Sequence, residues 1–420
     1  MTHRFFYTVS FVCFLLFTGM AQPIPVGDNA LAKRYPFVSA VFNRIFNNTG
    51  LDSFYQKLYT LKKDSTGTVS IVHIGDSHIQ ADFLSGVVRS GLQEFFGNAG
   101  RGLVFPYQLA LSNAPDDISS SSSIRWQFNR VAHPEIQINA GISGYALTTT
   151  SAAANIRFSL RTSLGEGLQS FNRLRFFLDT SFNTSWVFQA DNLDLPYTLK
   201  RQDNDSSVYR EVELKQPITG FTLSCLPTDD AKAFYGVSLE NSQPGVLYHT
   251  IGVNGARYDQ YNMAPLFWKQ LPALKADLYI ISLGTNEAQR ASFFEAMFVK
   301  DLSNFLQKLK EISPGASILI TTAPDSYKLK RSSNKVLRQL NQTLTDYCNK
   351  NYIPLWDLYR ITNGYGSAYS WSKRGLMSRD RIHFTAEGYR LQGSLLFNAL
   401  AKGYNSYISL YETDHQEARP

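Results

Sequence analysis

Apolar positions change their rhythm along this chain, and the changes divide it. Residues 31–63 carry Leu51, Phe54, Tyr55, Leu58 and Leu61 at helical spacing, which predicts helix through that stretch. Val69-Ser70-Ile71-Val72-His73-Ile74 is a short β-branched run that breaks at Gly75-Asp76-Ser77. Leu84, Val87, Val88, Leu92 and Phe95 then fall on one stripe, so the order is strand, turn, helix. Near Ala114-Pro115-Asp116-Asp117 and the serines 119–123 the helical period gives way to short alternating segments. Ile124–Phe128, Ile156–Leu160, Arg173–Phe177 and Val212–Leu214 are examples, separated by Gly, Asn, Asp and Ser turns, and they predict a β-sandwich through about residue 240.

After Gln243-Pro244-Gly245 the earlier rhythm returns. Val246–Ile251, Asp277–Leu283, Ser317–Thr322 and Tyr352–Leu355 read as strands. Between them lie helical stretches, the clearest with Phe293, Phe294, Met297, Phe298, Leu302, Phe305, Leu306 and Leu309 on its apolar face. A last helix carries Leu391, Leu395, Leu396, Ala399 and Leu400 on one stripe. Strands alternating with helices predict an α/β fold, a doubly wound parallel sheet with its sites at the carboxyl ends of the strands. The β-rich block then reads as an inserted all-β sandwich. The expected division is 22–115 and 244–410 for the two α/β segments, 116–243 for the insertion and 411–420 for a polar tail.

A chain of 420 residues, 44% hydrophobic and 18% charged, is neither disordered nor collagenous nor a coiled coil, and its length predicts two domains. Its net charge of +7 is scattered, without a basic run of five or more and without zinc-ligand spacing, so nucleic acid is not an expected partner. The first twenty-one residues place Arg4 before an apolar run, Phe5 to Met20, that ends at Gly19-Met20-Ala21. This layout predicts a secretion signal cleaved after Ala21 and an exported protein with no transmembrane segment once it is removed. Only Cys225 and Cys348 remain after that cut, and both read as buried free thiols.

The chemistry begins at Gly75-Asp76-Ser77-His78. A serine between a strand end and a helix start stands at the carboxyl edge of the sheet, where it could act as a nucleophile. Its hydroxyl needs a base, and the base needs a carboxylate to hold its tautomer. Of the seven histidines, His383 has an acid three residues before it, in Asp380-Arg381-Ile382-His383, ahead of the final helix. An ester-cleaving site also needs donors for the oxyanion. Gly255 follows one predicted strand and Asn286, in Gly284-Thr285-Asn286-Glu287, follows another, so the N–H groups of Ser77 and Gly255 and the Asn286 amide are the candidates. Each piece alone has a structural explanation as a turn, a cap or an ion pair; their joint order is specific.

The blocks Gly75-Asp76-Ser77, Gly255, Gly284-Thr285-Asn286 and Asp380-x-x-His383 resemble those of the SGNH (GDSL-type) hydrolases. The His after the serine, the Val-Asn-Gly-Ala stretch and the long insert are similar to the bacterial peptidoglycan O-acetylesterases. The resemblance implies a Ser77-His383-Asp380 triad, an oxyanion hole of Ser77, Gly255 and Asn286, no cofactor or metal, and an acetylated polysaccharide substrate in the cell wall. It also implies that the insert is carbohydrate-binding-like. Trp126 and Trp186 could stack on sugars there or belong to its core. Glu287 stands where the family usually has Asp.

Other readings remain open at this level. An O-acetyltransferase or a deacetylase of another glycan would use the same groups, and a wall-binding protein would need none of them. A metallophosphoesterase would need metal-ligating blocks that are missing, and the Gly-x-Ser-x-Gly elbow of α/β-hydrolases is missing too.

Overall fold

A computed structural model describes residues 22–417, apart from 133–138, 163–168, 180–184, 192–194 and 200–206. The expected signal over residues 1–21 lies outside the described residues. Six strands form the central sheet, in the order Ile45–Phe46, Leu355–Trp356, Ser317–Thr321, Leu278–Ser282, Thr68–Gly75 and Gly245–Gly252. All pairs are parallel except Ile45–Phe46 against Leu355–Trp356. The Thr68–Gly75 strand is buried from its second residue to its last, as a central parallel strand must be.

Alternation along these strands sends side chains to two faces. Val69, Ile71, Val246, Tyr248, Leu278 and Ile280 meet one set of helices, among them Phe83–Phe96 through Leu84, Val88 and Leu92, and Ala386–Glu417 through Leu395 and Leu396. Val72, Ile74, Ile251, Tyr279 and Ile281 meet the other set, including Glu295–Ile312 through Phe298, Leu302 and Phe305. A fully buried aliphatic side chain contributes about 1.5–3 kcal/mol, so the two faces hold the sheet from both sides.

Two larger antiparallel sheets accompany it, besides the two-stranded hairpin of Tyr327–Lys328 with Ser332–Ser333. One orders Tyr197–Leu199, Trp186–Ala190, Gly220–Cys225, Asn155–Leu160 and Ile118–Ser121. The other orders Arg210–Ile218, Phe171–Leu178, Lys232–Glu240, Tyr145–Thr149 and Gln127–Arg130, with Gly100–Val104 also paired to Lys232–Glu240. Their apolar side chains, Phe158, Phe176, Phe188 and Phe221 among them, form one continuous cluster with the second face of the parallel sheet. The structure is therefore a parallel α/β sheet with added antiparallel sheets inserted into it, as expected.

Several local expectations differ. Residues 31–63 are not helical throughout: Pro36 follows a helix at Asp28–Arg34, and the next α-helix begins only at Asp52, running to Asp64. Proline lacks the N–H a continuing helix would donate. Residues 124–126 do not join the strand at Gln127–Arg130, and Tyr352, with φ of 53°, precedes rather than joins Leu355–Trp356. Gly100–Val104 was not expected as a strand, because Gly100 and Gly102 weaken its β pattern. The expected polar tail is helical through Glu417, since a helix already nucleated on the core extends at little cost.

Candidate active site

In the central sheet Gly252, Gly75 and Ser282 share one register at the carboxyl ends of three adjacent strands. The chain passes from Thr68–Gly75 to its neighbour on one side and then to Leu278–Ser282 on the other. That reversal opens a crevice beyond the strand ends, where open α/β sheets bind their ligands. Ser77 begins the short helix Ser77–Gln80 there. Asp76 caps it by accepting the His78 N–H at 2.9 Å. Gly75 and Gly252 are glycines because there is no room for more. A Cβ on Gly75 would lie 2.4 Å from Ile79 Cγ1, and one on Gly252 would lie 2.2 Å from the Gln80 nitrogen.

Ser77 Oγ lies 2.8 Å from His383 Nε2. His383 Nδ1 lies 2.7 Å from Asp380 Oδ2. With the Nδ1 proton donated to the carboxylate, Nε2 is left to accept the serine hydroxyl. The other Asp380 oxygen accepts the N–H groups of Ile382 and His383, at 2.9 and 3.0 Å. Burial alone would raise the Asp380 pKa, but the hydrogen bonds from the His383 ring and these two amides outweigh it and hold the carboxyl below its usual range. Arg381, with φ of 57°, turns the chain so that Asp380 and His383 share one side of the loop.

A second histidine stands against the first. The His78 ring lies 5.4 Å from that of His383, and its Nδ1 is 3.0 Å from Tyr389 Oη. Burial pushes the His78 pKa down to about 3, so a neutral ring faces His383 and does not repel it when it takes up a proton.

Gly255, with φ of 84°, sits in a tight turn closed by the Ala256 N–H on the Val253 carbonyl at 3.0 Å. That φ favours glycine. Asn286 lies on the Thr285–Gln289 helix, and its Nδ2 donates to Asp76 Oδ2 and to the Ala256 carbonyl, each at 3.1 Å. The amide thus reaches the residue beside Ser77 and the residue beside Gly255, with both of its protons engaged. Burial pushes Asp76 up to about 7 against the pull of the His78 N–H and the His383 charge.

Gln80 was not singled out in the sequence. Its Oε1 accepts the Asn254 N–H and the Tyr145 hydroxyl, both at 2.9 Å, and its Nε2 donates to the Asn113 carbonyl at 2.8 Å. One buried side chain thereby joins the serine helix, the Gly255 turn and the antiparallel layers. Asp82 was missed as well. It accepts from Arg89 at 2.5 Å and Arg101 at 2.6 Å, and Arg101 pairs with Asp117 at the entry to those layers. Glutamine and arginine carry no spacing signal of their own, and each partner here is remote in sequence.

Trp126 and Trp186 are 4% and 0% exposed, so they are core residues and do not stack on sugars. Cys225 and Cys348 are buried and free. No helix among the described residues is long and apolar enough to cross a membrane. The site itself is open: the side chains of His383 and Asp380 are 39% and 33% exposed.

Residues 224–391 match the GDSL-like Lipase/Acylhydrolase family, a span that includes Gly255, Asn286, Asp380 and His383 but not Ser77. A solved structure of a peptidoglycan O-acetylesterase superposes with a TM-score of 0.70 at 22% identity, covering 84% of this chain and 96% of that one. Among curated proteins, the N-acylneuraminate cytidylyltransferases of Streptococcus agalactiae serotypes III and Ia are each 26% identical over 218 residues, 50% of this chain. The match spans 46% of their length, a little under half. Residues 224–391 are thus similar to the GDSL-like Lipase/Acylhydrolase family, and the parallel α/β fold with its added antiparallel sheets is the fold of the solved esterase structure.

Proposed function

We propose that this protein is an exported serine esterase that removes O-acetyl groups from a cell-wall polysaccharide, with O-acetylated peptidoglycan as its substrate. The observation that carries the reading is the hydrogen-bonded series Ser77 Oγ, His383, Asp380, at 2.8 and 2.7 Å. His383 Nε2 takes the serine proton as Oγ attacks the acetyl carbonyl, while Asp380 stabilises the imidazolium. The oxyanion is held by the N–H groups of Ser77 and Gly255 and by the Asn286 amide, which exchanges its bond to Asp76 for the new charge. The imidazolium then gives its proton to the departing sugar oxygen, leaving an acetyl-serine. Water, deprotonated by the same histidine, attacks that ester and releases acetate and free Ser77.

The openness of the site supports a polymer rather than a small enclosed substrate. The fold shared with a peptidoglycan O-acetylesterase supports the substrate class. Residues 116–243 are proposed as the insertion, carbohydrate-binding-like, that holds the glycan against the catalytic edge formed by 22–115 and 244–410.

The test is acetate release from O-acetylated peptidoglycan by residues 22–420 beside the Ser77→Ala variant, with acetylated xylan as control. Release from peptidoglycan that vanishes in the variant is expected. Release from xylan alone would move the substrate to another glycan, and release from neither would refute the esterase reading.

A further inference from the structure

Charge is not spread evenly around the proposed active site. Residues 328–338 contain Lys328, Lys330, Arg331, Lys335 and Arg338 and no acid, and Arg379 and Arg381 flank Asp380. The fold brings these two segments together. The hairpin Tyr327–Lys328 with Ser332–Ser333 is fastened at its base to both halves of the site. Tyr327 donates its N–H to the Arg381 carbonyl at 2.8 Å, and the Arg381 guanidinium lies 4.9 Å from the Tyr327 ring centre. Gln289, on the helix of Asn286, donates to the Tyr327 carbonyl at 2.9 Å, and Lys328 Nζ donates to the Arg290 carbonyl at 2.8 Å.

The tip is built differently from the base. Leu329 and Lys330 have φ of 53° and 59°, and Leu329 is 76% exposed. Lys330, Arg331 and Arg379 are exposed, and among the described residues no carboxylate forms an ion pair with them. Leu329 and Lys330 are the central residues of a turn closed by the Arg331 N–H on the Lys328 carbonyl at 3.2 Å, a hairpin geometry that leaves their side chains in water. A row of unpaired cations beside an open site concentrates anions there.

We propose that Lys330, Arg331 and Arg379 form an anion-binding rim that holds carboxylates of the acetylated polymer while its ester is presented to Ser77. The inference rests on the esterase reading and adds that the substrate is a polycarboxylate. Neutral acetylated glycans lack the group the rim holds, so they are poorer substrates.

The test compares wild type with Lys330→Gln/Arg331→Gln, confined to the exposed tip, and with the triple variant that adds Arg379→Gln. Each is assayed on O-acetylated peptidoglycan, on the same polymer with its carboxylates amidated, and on 4-nitrophenyl acetate. The ratio of kcat/KM on unmodified polymer to that on 4-nitrophenyl acetate is expected to fall about tenfold in the triple variant, and amidation is expected to lower the wild-type ratio similarly. A ratio within twofold of wild type in the variants, or equal cleavage of amidated and unmodified polymer, overturns the rim. Co-sedimentation of the Ser77→Ala chain with the two polymers scores the rim apart from catalysis, and equal retention also overturns it. Failure of wild type on 4-nitrophenyl acetate refutes the esterase reading, which the co-sedimentation result does not depend on.

Discussion

The backbone N–H of Tyr258 donates to Glu287 Oε1 at 2.9 Å, tying the turn that carries Gly255 to the helix that carries Asn286. The two loops named as oxyanion donors are thus held in register by one carboxyl, at the position where the sequence departs from the family's usual Asp. Its other oxygen is buried without a hydrogen-bond partner among the described residues.

That burial pushes the Glu287 pKa up to about 8, against the pull of the Tyr258 amide. A carboxyl raised in the folded state adds stability that is fully present below its unfolded pKa and is lost as pH rises through the folded value. The native protein should therefore lose stability between about pH 4.5 and pH 8. Glu287→Gln keeps an acceptor for Tyr258 and cannot ionise, so its Tm should fall less between pH 5 and pH 9 than that of the wild type. Melting curves at pH 5 and pH 9 check this, and parallel curves for the two proteins would sink it.

Asp380→Asn retains the loop's two backbone hydrogen bonds but no longer holds His383 in the tautomer that accepts from Ser77. Turnover should fall by about 10³–10⁴ with Tm nearly unchanged. Steady-state rates beside thermal melts decide it, and a variant with near-native turnover would remove Asp380 from the proposed triad.

Gln80→Ala removes the acceptor of the part-buried Asn254 N–H and of the buried Tyr145 hydroxyl, which is left with Ser112 Oγ at 3.5 Å. A buried group left unsatisfied costs about 1–3 kcal/mol, and with one of the two part-exposed and the other still partnered the variant should lose about that much in urea unfolding. Because the Asn254 amide sets the turn of Gly255, kcat should fall more than KM changes.

Arg101→Ala uncovers Asp82 and Asp117 together. Asp82 is held at a pKa of about 2, where burial would raise it but Arg101 and Arg89 prevail. Removing one partner from a buried pair typically costs about 3–5 kcal/mol. Denaturant unfolding should show a loss of that size, and a loss below 1 kcal/mol would mean that the network is dispensable.

The parts of the fold legible in the sequence are those where local pattern and tertiary burial agree. The Val69–Ile74 run is a strand because every residue there ends buried, and Leu391 with Leu395 and Leu396 forms a stripe because the helix packs on one face. Gly75, Gly255 and Asn286 were visible because a turn after a strand leaves a local signature. Gly100–Val104 was invisible because its pairing with Lys232–Glu240 lies far along the chain and its glycines hide the alternation.

What the chain by itself determines is the list of reacting groups and the strand ends that carry them, since each depends on neighbours within a few residues. Only the tertiary structure decides which groups meet. Ser77 and His383 are 306 positions apart, and their 2.8 Å contact exists because the sheet fixes one strand end while the last helix docks the other loop against it. The pairing of Glu287 with Tyr258, the reach of Gln80 into three segments and the basic hairpin beside Arg381 are decided in the same way. Hydrogen bonds and charges act over a few ångströms in space, and a periodic pattern along the chain carries no record of which distant residues will lie that close.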